Sequence, residues 1–171
     1  MGFVKIVGFL SFIVLVHTLP ANVPPPPSST PKLTTTTTYT IDYFLVRKEL
    51  QYALQDVIAY KEATTSRLDP LPNPPTESEN EIRWILDGLR VTAFYAYDKL
   101  IFLANSQLLT LAYTTQTFAW YDRVFVHFTN KIKELSTGFD DSVKAELLSL
   151  LNQIISQTNQ HHYNVKLLLT P

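Results

Sequence analysis

Cysteine is absent from this chain of 171 residues, which removes disulfide staples, thiol nucleophiles and zinc–thiolate centres together. Glycine is scarce: there are four, two of them, Gly2 and Gly8, within the first ten residues. No phosphate-cradling glycine loop and no G-x-S-x-G elbow can be built from them. Proline is missing between Pro75 and Pro171, so nothing in that stretch forces a helix to stop. There is no N-x-[ST] sequon and no Glu-x-x-His pair, the second of which di-iron helical bundles require. Charge of one sign is lacking too. Fourteen basic side chains face fifteen acidic ones, and the longest basic cluster is Arg47-Lys48, which gives no footprint for nucleic acid or for an anionic lipid surface.

Long apolar runs are also wanting. The longest uncharged apolar stretch near the start is Ile6–Val16, eleven residues preceded by Lys5 and followed by His17-Thr-Leu-Pro-Ala21. A spanning helix needs about 20 residues, whereas a short apolar core with a basic residue before it and small residues after it is the grammar of a secretory signal peptide. Residues 1–21 are therefore read as a signal peptide, with cleavage after Ala21 and Thr18 as the alternative point. A retained signal anchor is disfavoured because the run ends in Pro20. Leu100–Tyr121 is free of formal charge, yet Asn105, Ser106, Gln107, Thr110, Thr114, Thr115, Gln116 and Thr117 lie within it. That polarity suits a protein interior rather than lipid.

Residues 22–40 hold five prolines, seven threonines and two serines among nineteen positions. With almost no apolar surface to bury, such a tract is expected to be a disordered, polyproline-like arm. In a secreted chain the same composition suits O-glycosylation, the alternative being a plain spacer. Residues 41–171 remain as one domain, long enough to bury a core without staples.

That domain reads as helix almost throughout. Tyr43, Val46, Leu50, Ala53, Val57 and Tyr60 recur three and four apart and predict a helix over 41–67. Asp69–Pro75, with four prolines, forbids helix. Ser78 and Glu81 form a capping box that would start the second helix at Glu79, with Ile82, Leu86, Leu89, Ala93, Ala96, Leu100 and Leu103 as its apolar stripe. A third stripe runs through Phe118, Tyr121, Phe125, Phe128, Ile132 and Leu135. One helix from Glu79 to Leu135 would measure about 85 Å at 1.5 Å per residue, so the chain must turn back. The turn is expected at Asn105–Gln107, with Thr114–Thr117 as alternative. Thr137-Gly138 should close the third helix and Asp140 cap a fourth, whose stripe is read as Val143, Leu147, Leu150, Ile154, Gln157 and His161. The fold class is all-α: an antiparallel four-helix bundle.

Ten of the eighteen aromatic residues beyond the leader fall within 94–128. Tyr97, Tyr113, Phe118 and Tyr121 come from the two helices flanking the expected turn, and are the candidate lining of a small apolar ligand site with hydroxyls at its edge; an aromatic core is the plainer alternative. Trp120 lies off the Phe118–Tyr121–Phe125 stripe, and either packs on a neighbouring helix or is exposed as a contact residue. Catalytic groupings are hard to assemble. His127 belongs to a solvated face, and adjacent His161 and His162 point about 100° apart on a helix, which precludes one metal from sharing them. The acidic groups at Glu77–Glu81 and Asp140-Asp141 sit at helix starts, where the dipole accounts for them. No cofactor, metal or catalytic residue is assigned. The chain is expected to be a secreted, extracellular, non-enzymatic bundle that recognises a protein partner or forms part of a secretion; the alternative is a carrier of a small apolar ligand.

Overall fold

The computed structural model describes residues 39–71 and 76–171. The signal peptide and most of the arm fall outside the described residues, as do positions 72–75 of the proline-rich connection. Four helices form the described part: α1 Tyr43–Leu68, α2 Glu77–Asn105, α3 Leu111–Leu135 and α4 Asp141–Leu168, with a short 3-10 turn at Ser136–Gly138 between the last two. They run 26, 29, 25 and 28 residues, or about 38 to 44 Å each at 1.5 Å per residue. Matched lengths let successive helices lie antiparallel and cover each other end to end.

Three of the four helices begin where a side chain satisfies one or two of the first free N–H groups. The Asp42 carboxylate accepts from the N–H of Phe44 and Leu45. The Thr76 and Thr110 hydroxyls accept from Glu79 and Tyr113, the usual N-cap chemistry. Thr76 thus starts α2 two residues before the expected Ser78 cap. The earlier start places Glu79 three residues after the cap, where it is buried and pairs with Arg83 across one turn at 3.0 Å; the same guanidinium holds Asp69 at 3.0 Å, tying the proline-rich connection to α2. Asp140 does occupy the N-cap position of α4, but its side chain makes no capping hydrogen bond.

Turn-back comes at the expected Asn105–Gln107, and the Thr114–Thr117 cluster lies inside α3. Gln107 adopts φ 56°. Its N–H donates to Ala104 O at 3.1 Å and that of Leu108 to Leu103 O at 2.9 Å, the paired bonds of a Schellman ending with glutamine at the left-handed position that glycine normally fills.

The core is one cluster drawn from all four helices. α1 supplies Val46, Leu50, Ala53, Val57 and Tyr60, as its spacing predicts, while Tyr43 is only half-buried. α2 supplies Ile82, Leu86, Leu89, Ala93, Ala96, Tyr97 and Leu100. In α4 the expected phase is corrected. After Leu147 the buried line runs through Leu151, Ile154, Thr158, His162 and Val165, not through Leu150, Gln157 and His161, which stay half-buried at the edge. A helix advances 3.6 residues per turn, so a stripe drawn by threes and fours drifts off the core face unless an occasional extra four corrects it. Neighbour packing runs in chain order around the bundle, and α1 packs against both α2 and α4 most extensively. The seam between α3 and α4 is the sparsest. Large rings occupy it, as described next.

Candidate functional site

Three of the four proposed ligand-lining residues meet in that seam, together with a histidine the sequence stripe misplaced. Tyr97 of α2, Phe118 and Tyr121 of α3 and His162 of α4 are all buried. The His162 ring stacks on Phe118 with centroids 3.8 Å apart and planes 10° from parallel. Tyr97 and Tyr121 pack with centroids at 5.2 Å, and Phe125 continues the stack from Tyr121 at 5.4 Å. These rings interdigitate as a close-packed core does.

Polar atoms within the cluster are lined up through the imidazole. Nδ1 of His162 lies 3.1 Å from an Asp122 carboxylate oxygen, and Nε2 is 2.9 Å from the Tyr97 hydroxyl. An Nδ1–H facing the carboxylate leaves Nε2 to accept from the Tyr97 O–H. Burial pushes the phenols of Tyr97 and Tyr121 well above their ordinary range, so neither loses its proton at neutral pH. An Asp–His–hydroxyl order resembles the geometry of nucleophilic catalysis, yet this hydroxyl is sealed in the core and no substrate carbonyl could approach it. The signal that could have found this arrangement is the 3.6-residue phase of α4, which brings Thr158, His162 and Val165 under the same face.

His161 has a separate environment at the α1–α4 edge. Its Nδ1 is 2.8 Å from Glu49 Oε2 and its Nε2 is 3.0 Å from Asp56 Oδ2, while the Asn164 amide donates to Glu49 at 3.0 Å. Both ring contacts are hydrogen bonds only for the doubly protonated imidazole. Burial pushes the Glu49 carboxyl up, but the bonds from His161 and Asn164 outweigh it and hold the group below its ordinary value of 4.5. The carboxylates sit off opposite edges of the ring, so they form a clasp between helices rather than a chelate.

Tyr113 is not part of the buried cluster. It lies half-buried in the first turns of α3, on the outer side of the α2–α3 pair, where an open groove of about 390 Å³ is lined by Tyr95, Lys99, Tyr113, Trp120 and Arg123, among others. Trp120 is 36 % exposed and meets Tyr95 of α2 edge-on with centroids at 5.8 Å. Trp120 therefore packs on a neighbouring helix while part of its ring faces solvent. His127 is exposed, as its position predicts.

The groove borders a feature that the sequence stripes did not reveal. Trp84, Val91, Tyr95 and Phe102 of α2 are 83, 58, 68 and 66 % exposed. Their spacings of seven, four and seven put them within about 40° of one line at 100° per residue, roughly opposite Ile82, Leu86, Ala93 and Leu100. α2 is apolar on two sides, one covered and one bare. Gly88, beside this row, lets α3 approach: a Cβ there would stand 3.0 Å from the Phe128 ring.

The arrangement defines a class: an all-α four-helix bundle with a closed aromatic–histidine core and an open aromatic face. The chain matches no family model, and no curated protein or solved structure is significantly similar to it. Among the described residues no helix is long and apolar enough to cross a membrane.

Proposed function

We propose that this is a secreted, non-enzymatic bundle that works by surface recognition of an extracellular protein partner, with the bare side of α2 as the contact. The exposed row Trp84–Val91–Tyr95–Phe102 carries this reading. It extends about 27 Å along the helix at 1.5 Å per residue, and aromatic side chains held on a rigid element are what interface anchors are made of. Apart from Tyr95, which meets Trp120, the row stands exposed opposite the core face and adds little to folding. Catalysis has no part in this reading, because the His162 ring and the Tyr97 hydroxyl that would do the chemistry are buried.

Photo-crosslinking tests it. A photoreactive phenylalanine derivative in place of Trp84 should give one saturable adduct in the protein's native fluid, competed away by unmodified protein, while the same group in place of exposed Gln55 on α1 gives none. Identical patterns from both positions, or no adduct from position 84, would overturn the proposal.

A carrier of a small apolar ligand is the second reading. What favours it is the outer groove at Tyr95, Tyr113 and Trp120, rather than the packed rings of Tyr97, Phe118 and Tyr121.

A further inference from the structure

We infer that the α2–α3 groove is a binding site for an amphiphilic organic anion, a carboxylate or sulfonate carrying an aliphatic or aromatic body. The inference rests on the carrier reading and gives it a place and a ligand class. Three rings, Tyr95, Tyr113 and Trp120, form the walls, with Ala96 between them. The only charged side chains lining the groove are Lys99 and Arg123. Among the described residues neither has a carboxylate within ion-pair distance, a state they share with Arg47, Lys48, Lys133, Lys144 and Lys166; what sets these two apart is that both line one apolar groove. The Lys99 ammonium lies 5.5 Å from the centre of the Tyr113 ring, where the phenol hydroxyl helps to keep it protonated.

Two cations without counter-charges at the rim of an apolar groove create a field that an anion would neutralise. The rings beneath would cover its body. A neutral ligand gains only from the rings, and a cation is repelled. Gln116 completes the lining with an amide that can donate to a second oxygen, whereas the Thr117 hydroxyl already donates to Tyr113 O at 3.0 Å. The volume, about 390 Å³, is within the range of small-molecule sites. Nothing in this argument involves the Trp84 or Phe102 end of the α2 row, so the site and the protein contact are separable by substitution.

The test is calorimetric titration of the full chain with decanoate, with decan-1-ol and decyltrimethylammonium as neutral and cationic controls, each below its aggregation limit. Decanoate should saturate at one per chain and bind at least about fivefold more tightly than decan-1-ol, the gain expected from two exposed ion pairs. Lys99→Gln with Arg123→Gln should erase that difference while leaving the helical circular dichroism unchanged. Tyr113→Ala should weaken decanoate and decan-1-ol alike. Equal binding of decanoate and decan-1-ol, with neither affected by the charge substitutions, would overturn the anion assignment and leave a carrier of neutral ligands. Absence of saturable binding by any of the three would overturn the carrier reading as well. The same double variant should retain the position-84 crosslink, which separates failure here from failure of surface recognition.

Discussion

His161 and His162 are neighbours in the chain and strangers in the fold. One turns toward two carboxylates of α1 at the edge, the other into the rings of α2 and α3, because consecutive helical residues diverge by about 100°. Their contributions can be measured apart. Tyr97→Phe keeps the ring but leaves the buried His162 Nε2 without its 2.9 Å partner; a buried polar atom left unpaired costs about 1–3 kcal/mol. Urea unfolding should show a midpoint shift of that size with unchanged slope. A null result would mean that water reaches the imidazole. At the clasp, the Glu49 carboxyl is held below 4.5 in the folded chain. A depressed carboxyl stabilises the fold at pH above its unfolded value, and that contribution disappears as the pH falls through the folded value. Stability should therefore drop on acidification below about pH 4.5, and Glu49→Gln should flatten part of that slope. Coincident slopes for the two proteins between pH 5 and 3 would show that the clasp adds nothing.

At the scale of elements, α1 was legible over most of its length, since Val46, Leu50, Ala53, Val57 and Tyr60 keep one phase while polar side chains such as Lys48, Gln51, Gln55 and Glu62 fall outside it. Leu50 lies fully buried at the centre of that stripe, and Leu50→Ala should cost about 2–5 kcal/mol in equilibrium unfolding. The α2–α3 turn was legible because one continuous helix would have been too long to pack. The α4 phase was not. Leu147, Leu148, Leu150 and Leu151 offer two adjacent apolar lines, and only contact with α1 and α3 decides between them. The outer row of α2 is not legible for a related reason: apolar residues on both sides of a helix blur the amphipathic contrast that marks one side as covered. Residues 97, 118 and 121 meet as packed core rather than as the wall of a cavity, and Tyr113, from the first turn of α3, sits half-buried at the outer groove instead. The turn itself makes a further expectation. Gln107 holds φ 56°, a conformation that costs a residue with a Cβ about 1–2 kcal/mol. Glycine there should stabilise the bundle by about 0.5–1 kcal/mol after its own greater freedom in the unfolded chain is counted. Thermal denaturation of Gln107→Gly checks the sign.

Across the whole molecule, α1 is the hub and the face it shares with α4 is the broadest. Tyr39 extends that contact beyond the helix: its hydroxyl donates to Leu168 O at 2.8 Å. A chain beginning at Tyr39 should fold with full stability, whereas one beginning at Ile41 should fold but lose about 1 kcal/mol, the net worth of one such hydrogen bond. Equal melting temperatures for the two would show that the bond contributes nothing. Connectivity gives the hub a consequence for how the bundle comes into being on the ribosome. The helix made first finds its broadest partner in the helix made last. Contacts such as Glu49 with His161 and Tyr39 with Leu168 join residues more than a hundred positions apart. While α2 and α3 emerge, one side of α1 stays uncovered, and a nascent chain halted before α4 would display Leu50 and Val57 to whatever chaperone is at hand.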